Sequence, residues 1–182
     1  MIQAQAIIGM PVLLESGKAV GKVKDLWFDE FWNLVGIVLD KNARSGFRKK
    51  PKVILWEHVA FCGADALLIR TSADIMAVSG KSLLRTFLTG VVRLKDMPVF
   101  TVEGERLGEV TDVYMKPAEG IQIIGYELTD GFLADIFEGR RRLLLPEASK
   151  NMTLGEDAIL VPASCERILP RDHTWKVTGE DG

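Results

Sequence analysis

Two carboxylates recur in this chain, Asp25 and Asp112, each closing the pattern Gly-x-Val-x-Asp. Carboxylates can share general acid–base work when a second titratable group stands beside them. Here no second carboxylate, His or Lys recurs next to either, so the preferred expectation is a carboxylate hydrogen-bonded to local backbone. A nucleophilic triad needs a His near a Ser or Cys. Only His58 and His173 are present, neither recurs, and there is no Gly-x-Ser-x-Gly elbow. Cys62 and Cys165 lie outside any Cys-x-x-Cys or Cys/His cluster, which points to free thiols in a reducing cytosol. No spacing converges metal ligands, and the recurrent Gly-x-x-x-Gly is expected to open a strand rather than a phosphate-binding helix. The carboxylate pairs Asp29-Glu30 and Glu156-Asp157 are expected in exposed turns. No catalytic residue, cofactor or metal is expected.

Two surface features remain. "KNARSGFRKKPK" carries six basic residues (Lys41, Arg44, Arg48, Lys49, Lys50 and Lys52), no acid and one aromatic, Phe47. A cationic loop with an aromatic can grip phosphates while stacking on a base, which makes RNA or the ribosome a candidate partner. A solvated hairpin tip explains the same residues. "WFDEFWN" places Trp27, Phe28, Phe31 and Trp32 around a hairpin tip. Four rings exceed what one small barrel can hold, so they form either an exposed interface, a homodimer contact among the options, or a seam against the rest of the chain.

The elements that position these residues are written twice. "MPVLLESGKAVGKVKD" from Met10 and "MPVFTVEGERLGEVTD" from Met97 share seven of sixteen residues at a constant offset of 87. The order of similar blocks continues through "LVGIVLD" and "IIGYELTD", then "GADALLI" and "GEDAILV". This is a tandem duplication. Short apolar runs punctuated by Gly, Asp and Asn predict β-structure of the small-barrel kind. Gly17 and Gly104 are expected in tight hairpin turns, Gly21 and Gly108 at strand bends, and Pro11 and Pro98 at strand starts. Val20 and Val23 face inward together only if a bulge near Gly21 shifts the strand's phase.

Between the copies, "TSADIMAVSGKSLLRTFLTGVVRL" is too apolar for a loose tether and is expected to pack against a barrel. Ser82 could cap a short amphipathic turn or helix carrying Leu83, Leu84, Phe87 and Leu88. The expected organisation is a first barrel over 1–78, a short helical or irregular linker over 79–94, a second barrel over 95–170 and a polar tail over 171–182. In the second copy, Phe132, Leu133, Ile136 and Phe137 before Arg140, Arg141 and Arg142 suggest a short helix or folded-back loop.

Met-Pro-Val, Gly-x-x-x-Gly-x-Val-x-Asp, a Gly-containing hydrophobic hairpin, Leu-x-x-Glu and Gly-x-Asp-Ala-Leu/Ile together resemble the PRC-barrel family. That family includes the cytoplasmic barrel of the photosynthetic reaction centre H subunit and the C-terminal domain of the ribosome maturation factor RimM. The resemblance covers about 10–70 and 97–162, and "DGFLADIFEGRRRLLLPE" is similar to the tandem, YrrD-like subgroup. It implies two tandem PRC-type β-barrels in a bacterial protein and a non-enzymatic role docking on a larger assembly.

The whole chain has 182 residues, net charge −2 and 47% hydrophobic content, an ordinary globular mixture. The charge is uneven: residues 1–90 hold 12 Lys/Arg against 8 Asp/Glu, and residues 91–182 hold 11 against 17. No run approaches the ~20 apolar residues of a membrane span, and the first residues lack a signal-peptide pattern. A cytoplasmic protein with no integral membrane segment is expected.

Overall fold

A computed structural model describes residues 1–40, 50–118, 120–130, 141–145, 153–165 and 168–169. The first copy opens with β1 (Ile2–Gln3) and one helical turn, α1 (Ala4–Ile7). It continues through β2 (Pro11–Leu14), β3 (Ala19–Phe28), β4 (Leu34–Leu39), β5 (Lys52–Leu55), β6 (Val59–Cys62), β7 (Leu67–Ile69) and β8 (Met76–Ala77). The intervening segment holds β9 (Arg85–Thr86) and β10 (Val92–Arg93). The second copy holds β11 (Pro98–Thr101), β12 (Arg106–Ala118), β13 (Gly120–Thr129), β14 (Arg141–Leu144), β15 (Thr153–Leu154), β16 (Ile159–Val161) and β17 (Ile168–Leu169).

The two copies have the same topology. Neighbouring strands run β6-β7-β2-β3-β4-β5-β8 in one and β15-β16-β11-β12-β13-β14-β17 in the other. The hairpin turns repeat in detail. Leu14 N–H donates to Lys18 O and Thr101 N–H to Glu105 O, each at 2.8 Å. Gly17 and Gly104 sit in those turns at φ +83° and +92°, where a side chain would be strained. The strand that follows carries an extra residue just before Gly21 and just before Gly108, a register shift that curls each sheet.

The segment between the copies is sheet, not tether. Ser79 accepts from Lys81 N–H and caps a 3-10 turn over Gly80–Ser82, and no helix continues beyond it. β9 then pairs with β3, and β10 with β9. The turn ends at Ser82 because Thr86 and Phe87 are drawn into the first copy: Phe87 N–H donates to Leu26 O, and its ring is fully buried.

The N-terminal segment does the reverse. β1 pairs with β12 of the second copy, Ile2 opposite Met115 and Gln3 opposite Tyr114. β9 sets Arg85 opposite Phe28 and Thr86 opposite Trp27. Since Phe28 and Met115 are equivalent at the offset of 87, each copy completes the long strand of the other with its leading arm. A third contact fits the same approximate two-fold: Asn33 bridges to Gln122, the residue at its own equivalent hairpin position. Ile7 and Phe87 are buried fully by their arms, each contributing about 1.5–3 kcal/mol. The buried apolar residues of both copies form one core.

Candidate interaction sites

Asp25 lies on β3 with its carboxylate fully buried. Oδ1 accepts from the amides of Leu26 (2.8 Å) and Leu88 (2.9 Å). Oδ2 accepts from Thr86 Oγ1 (2.8 Å), Thr89 N–H (2.8 Å) and Thr89 Oγ1 (2.6 Å). Thr86 Oγ1 in turn accepts from the amides of Thr89 and Gly90. The carboxylate therefore clasps the β9 arm through charge-assisted bonds, which are about twice as strong as neutral ones. Local backbone supplies one of its five donors; the arm supplies four.

Asp112 does the same job with fewer donors. Its Oδ1 accepts from Val113 N–H (2.8 Å) and from Gln5 N–H (3.0 Å) of the N-terminal arm. Gln5 Nε2 and Lys95 Nζ donate to the adjacent Thr111 O. Leu88 and Gln5 are equivalent at an offset of 83, the same offset that relates Thr86 to Gln3. Burial pushes the Asp112 carboxyl above the ordinary aspartate range. The amides of Gln5 and Val113 oppose that rise, the Glu127 charge adds to it, and Lys95 opposes it.

The hairpin tip holding the aromatic cluster is built by Asp29. Its Oδ1 accepts from the amides of Phe31 and Asn33, each at 2.8 Å, and Oδ2 from Asn33 Nδ2 at 2.9 Å. This Asx-type turn drives Trp32 to φ +62° and sends its ring inward, 3% exposed and tilted against Phe28 at 5.8 Å. Phe28 is buried as well and Trp27 half-buried. Phe31 is 76% exposed. Of the four rings, three belong wholly or partly to the interior and one stands in solvent.

Of the basic run, Lys41, Arg44, Phe47, Arg48 and Lys49 lie outside the described residues. Lys50 and Lys52 are exposed at the start of β5, with Lys22 exposed on β3 at the same end, where its carbonyl receives Asp40 N–H. Residues 131–140 and His173 also lie outside the description. His58 Nε2 approaches Glu57 at 3.6 Å and Nδ1 approaches Asp74 at 3.7 Å, with no Ser or Cys hydroxyl or thiol among these contacts. Cys62 and Cys165 are free thiols whose pKa values burial pushes up, away from nucleophilic thiolate. Among the described residues no group of three or more His, Cys, Asp or Glu is placed to hold a metal ion. No helix among them is long and apolar enough to cross a membrane.

Sequence reasoning identified the two aspartates but missed Thr86, Thr89 and Gln5. Most of the arm donors are main-chain amides, which any residue type supplies. The duplication itself held the available signal: a polar residue kept in both copies at a buried strand position needs a partner from outside its own repeat.

The PRC-barrel domain family matches the chain twice, over residues 1–76 and 90–167. The second match begins inside the β9–β10 segment. No curated protein matches the chain.

Proposed function

We propose, from the premise that the chain belongs to the PRC-barrel family, that it is a cytoplasmic, non-enzymatic adaptor that docks on a larger protein assembly. The observation that carries this reading is Phe31. The Asp29 turn fixes the backbone on both sides of it and holds the ring out in water while its neighbour Trp32 anchors the turn in the core. A large aromatic presented on a rigid turn loses little conformational freedom on binding, which is how interface hot spots gain affinity. The polar residues that the copies share, Asp25 and Asp112, are meanwhile engaged in holding the two barrels together.

The test is a photo-crosslinking residue at position 31 in the full chain, expressed in its native cell. A discrete covalent adduct that disappears when unlabelled wild-type chain competes, together with Phe31→Glu losing the same partner at an unchanged melting temperature, supports the reading. Unimpaired partner capture by Phe31→Glu overturns the role of Phe31.

A second reading, an RNA- or ribosome-associated factor, rests on Lys50 and Lys52 standing exposed at the same end of the sheet as Lys22. Replacing Arg48, Lys49, Lys50 and Lys52 with Glu should abolish a salt-sensitive mobility shift with RNA. Absence of any shift in low salt for the wild type rejects it.

A further inference from the structure

Each copy contains a three-stranded half-sheet, β6–β7–β2 in the first and β15–β16–β11 in the second. One face of each is core: Val12, Leu67 and Ile69 are fully buried, as are Val99, Ile159 and Val161. Alternation along a strand should make the opposite face polar. It does not. In the first copy the outward row is Phe61, Leu68 and Leu13, in register across β6, β7 and β2. In the second it is Thr153, Leu160 and Phe100 across β15, β16 and β11. Phe61 is 63% exposed and Leu160 38%.

Among the described residues the rims of these rows differ in charge, acidic around the second and mixed with a basic excess around the first. Around the second row stand exposed Glu103, Glu105, Glu156 and Asp157, while Arg106 is held by Glu109 at 2.7 Å. Around the first stand exposed Lys18, Lys22 and Arg70, with Glu15 and Asp65. At two equivalent positions the sign is reversed outright: Lys18 corresponds to Glu105, and Lys22 to Glu109.

We propose that the outward face of the first copy binds the outward face of the second copy of another molecule of this chain. Two acidic rims repel each other, so the second face selects the first rather than itself. Apolar contact between Phe61 and Leu160 supplies most of the affinity, and the rim charges set the orientation. Because the two faces differ, the contact is heterologous: each added molecule leaves one face of each kind free, and association is head-to-tail and open-ended. Each face is small, so the association is weak and appears where local concentration is high.

The test uses the full chain in sedimentation equilibrium. The weight-average mass of the wild type should climb with concentration past that of a dimer, and fall back as salt is raised. Phe61→Asp and Leu160→Asp should each be monomeric alone. Mixed in equal amounts they should form dimers and nothing larger, since each retains one intact face. Lys18→Glu and Glu105→Lys, both at exposed turns, provide a second pair that leaves the sheets untouched: each should weaken association, and their mixture should restore it through the two intact rims. A wild type that stays monomeric to near-millimolar concentration overturns the proposal. So does a mixture that fails to associate, or a single variant that still dimerises, which would mean like faces meeting.

Discussion

Asp25 and Asp112 occupy the same place in the two copies and perform the same task in different surroundings. The ladder puts Val38 and then Val53 beside Asp25, but Glu127 and then Arg142 beside Asp112. Two residues further along the strand stand Trp27 in the first copy and Tyr114 in the second, where the Arg142 guanidinium lies over the ring at 5.7 Å. The first seat is thus an apolar one whose single charge receives five hydrogen bonds. The second is a charged one whose carboxylate receives two and lies next to another acid. Duplication preserved the residue and the amide that it grips, and let the rest diverge. What selection could not release is the arm: without it, each copy has a long strand with an unpaired edge and a buried charge.

The largest expected effect follows from counting which carboxylate oxygens face main-chain amides. In Asp25 both do, so in Asp25→Asn the new amide group must point at an N–H donor in either orientation. Unsatisfied buried donors cost about 1–3 kcal/mol each, and losing the buried charge adds to this, for a total of roughly 3–5 kcal/mol. In Asp112 both amides fall on Oδ1, so Asp112→Asn can keep them, and a cost within about 1 kcal/mol is expected. Chemical denaturation of the two variants side by side checks the ranking. Equal losses would mean that the two arms are held by their strands and not by the aspartates.

The glycine bends sharpen the comparison at smaller magnitude. A side chain at Gly108, where φ is +135°, would begin 2.7 Å from Thr129 O and 2.9 Å from Asp130 Oδ1. At Gly21 the nearest atoms belong to the flexible Leu39 side chain, 3.8 Å away. Gly108→Val is expected to cost roughly 2–4 kcal/mol and Gly21→Val about 1 kcal/mol. A reversed order in thermal unfolding would place the strain in the first barrel.

Most of the fold was legible in the sequence because β-structure writes itself in local pattern. The turns at Gly17 and Gly104, the apolar strands and the repeated order of blocks all depend on neighbours within a few residues. The arm exchange was not legible. "IQAQA" and "RTFLT" share no residue type, yet both offer a main-chain amide at the same geometric position to the opposite aspartate. The packing of 79–94 against a barrel was legible from its apolar content, but the strand pairing of Arg85–Thr86 and Val92–Arg93 was not. Pairing with β3 is set by an edge that the first copy leaves open, and only the folded strand order reveals that edge. The aromatic tip was half legible. Composition marked it as special, but the inward turn of Trp32 follows from the Asp29 side chain's bonds, and spacing alone does not fix them.

The smallest expected effect separates the two seats by pH. The Asp112 carboxyl is raised above its ordinary value of 3.8, chiefly by burial. The folded chain therefore takes up that proton at a higher pH than the unfolded chain does. Between the two values the folded state binds more protons, so the stability linked to this group is fully present below the window and is lost as pH rises through it. In Asp112→Asn the position no longer titrates. The melting temperature of wild type minus that of the variant should accordingly decline as pH is raised from strongly acid toward neutral, by a few degrees at most. Taking the difference removes every other group that titrates alike in both chains. A difference that instead grows with pH would mean that Lys95 and the amides of Gln5 and Val113 stabilise the carboxylate by more than burial and Glu127 oppose it. The second seat would then hold its arm through charge, as the first one does.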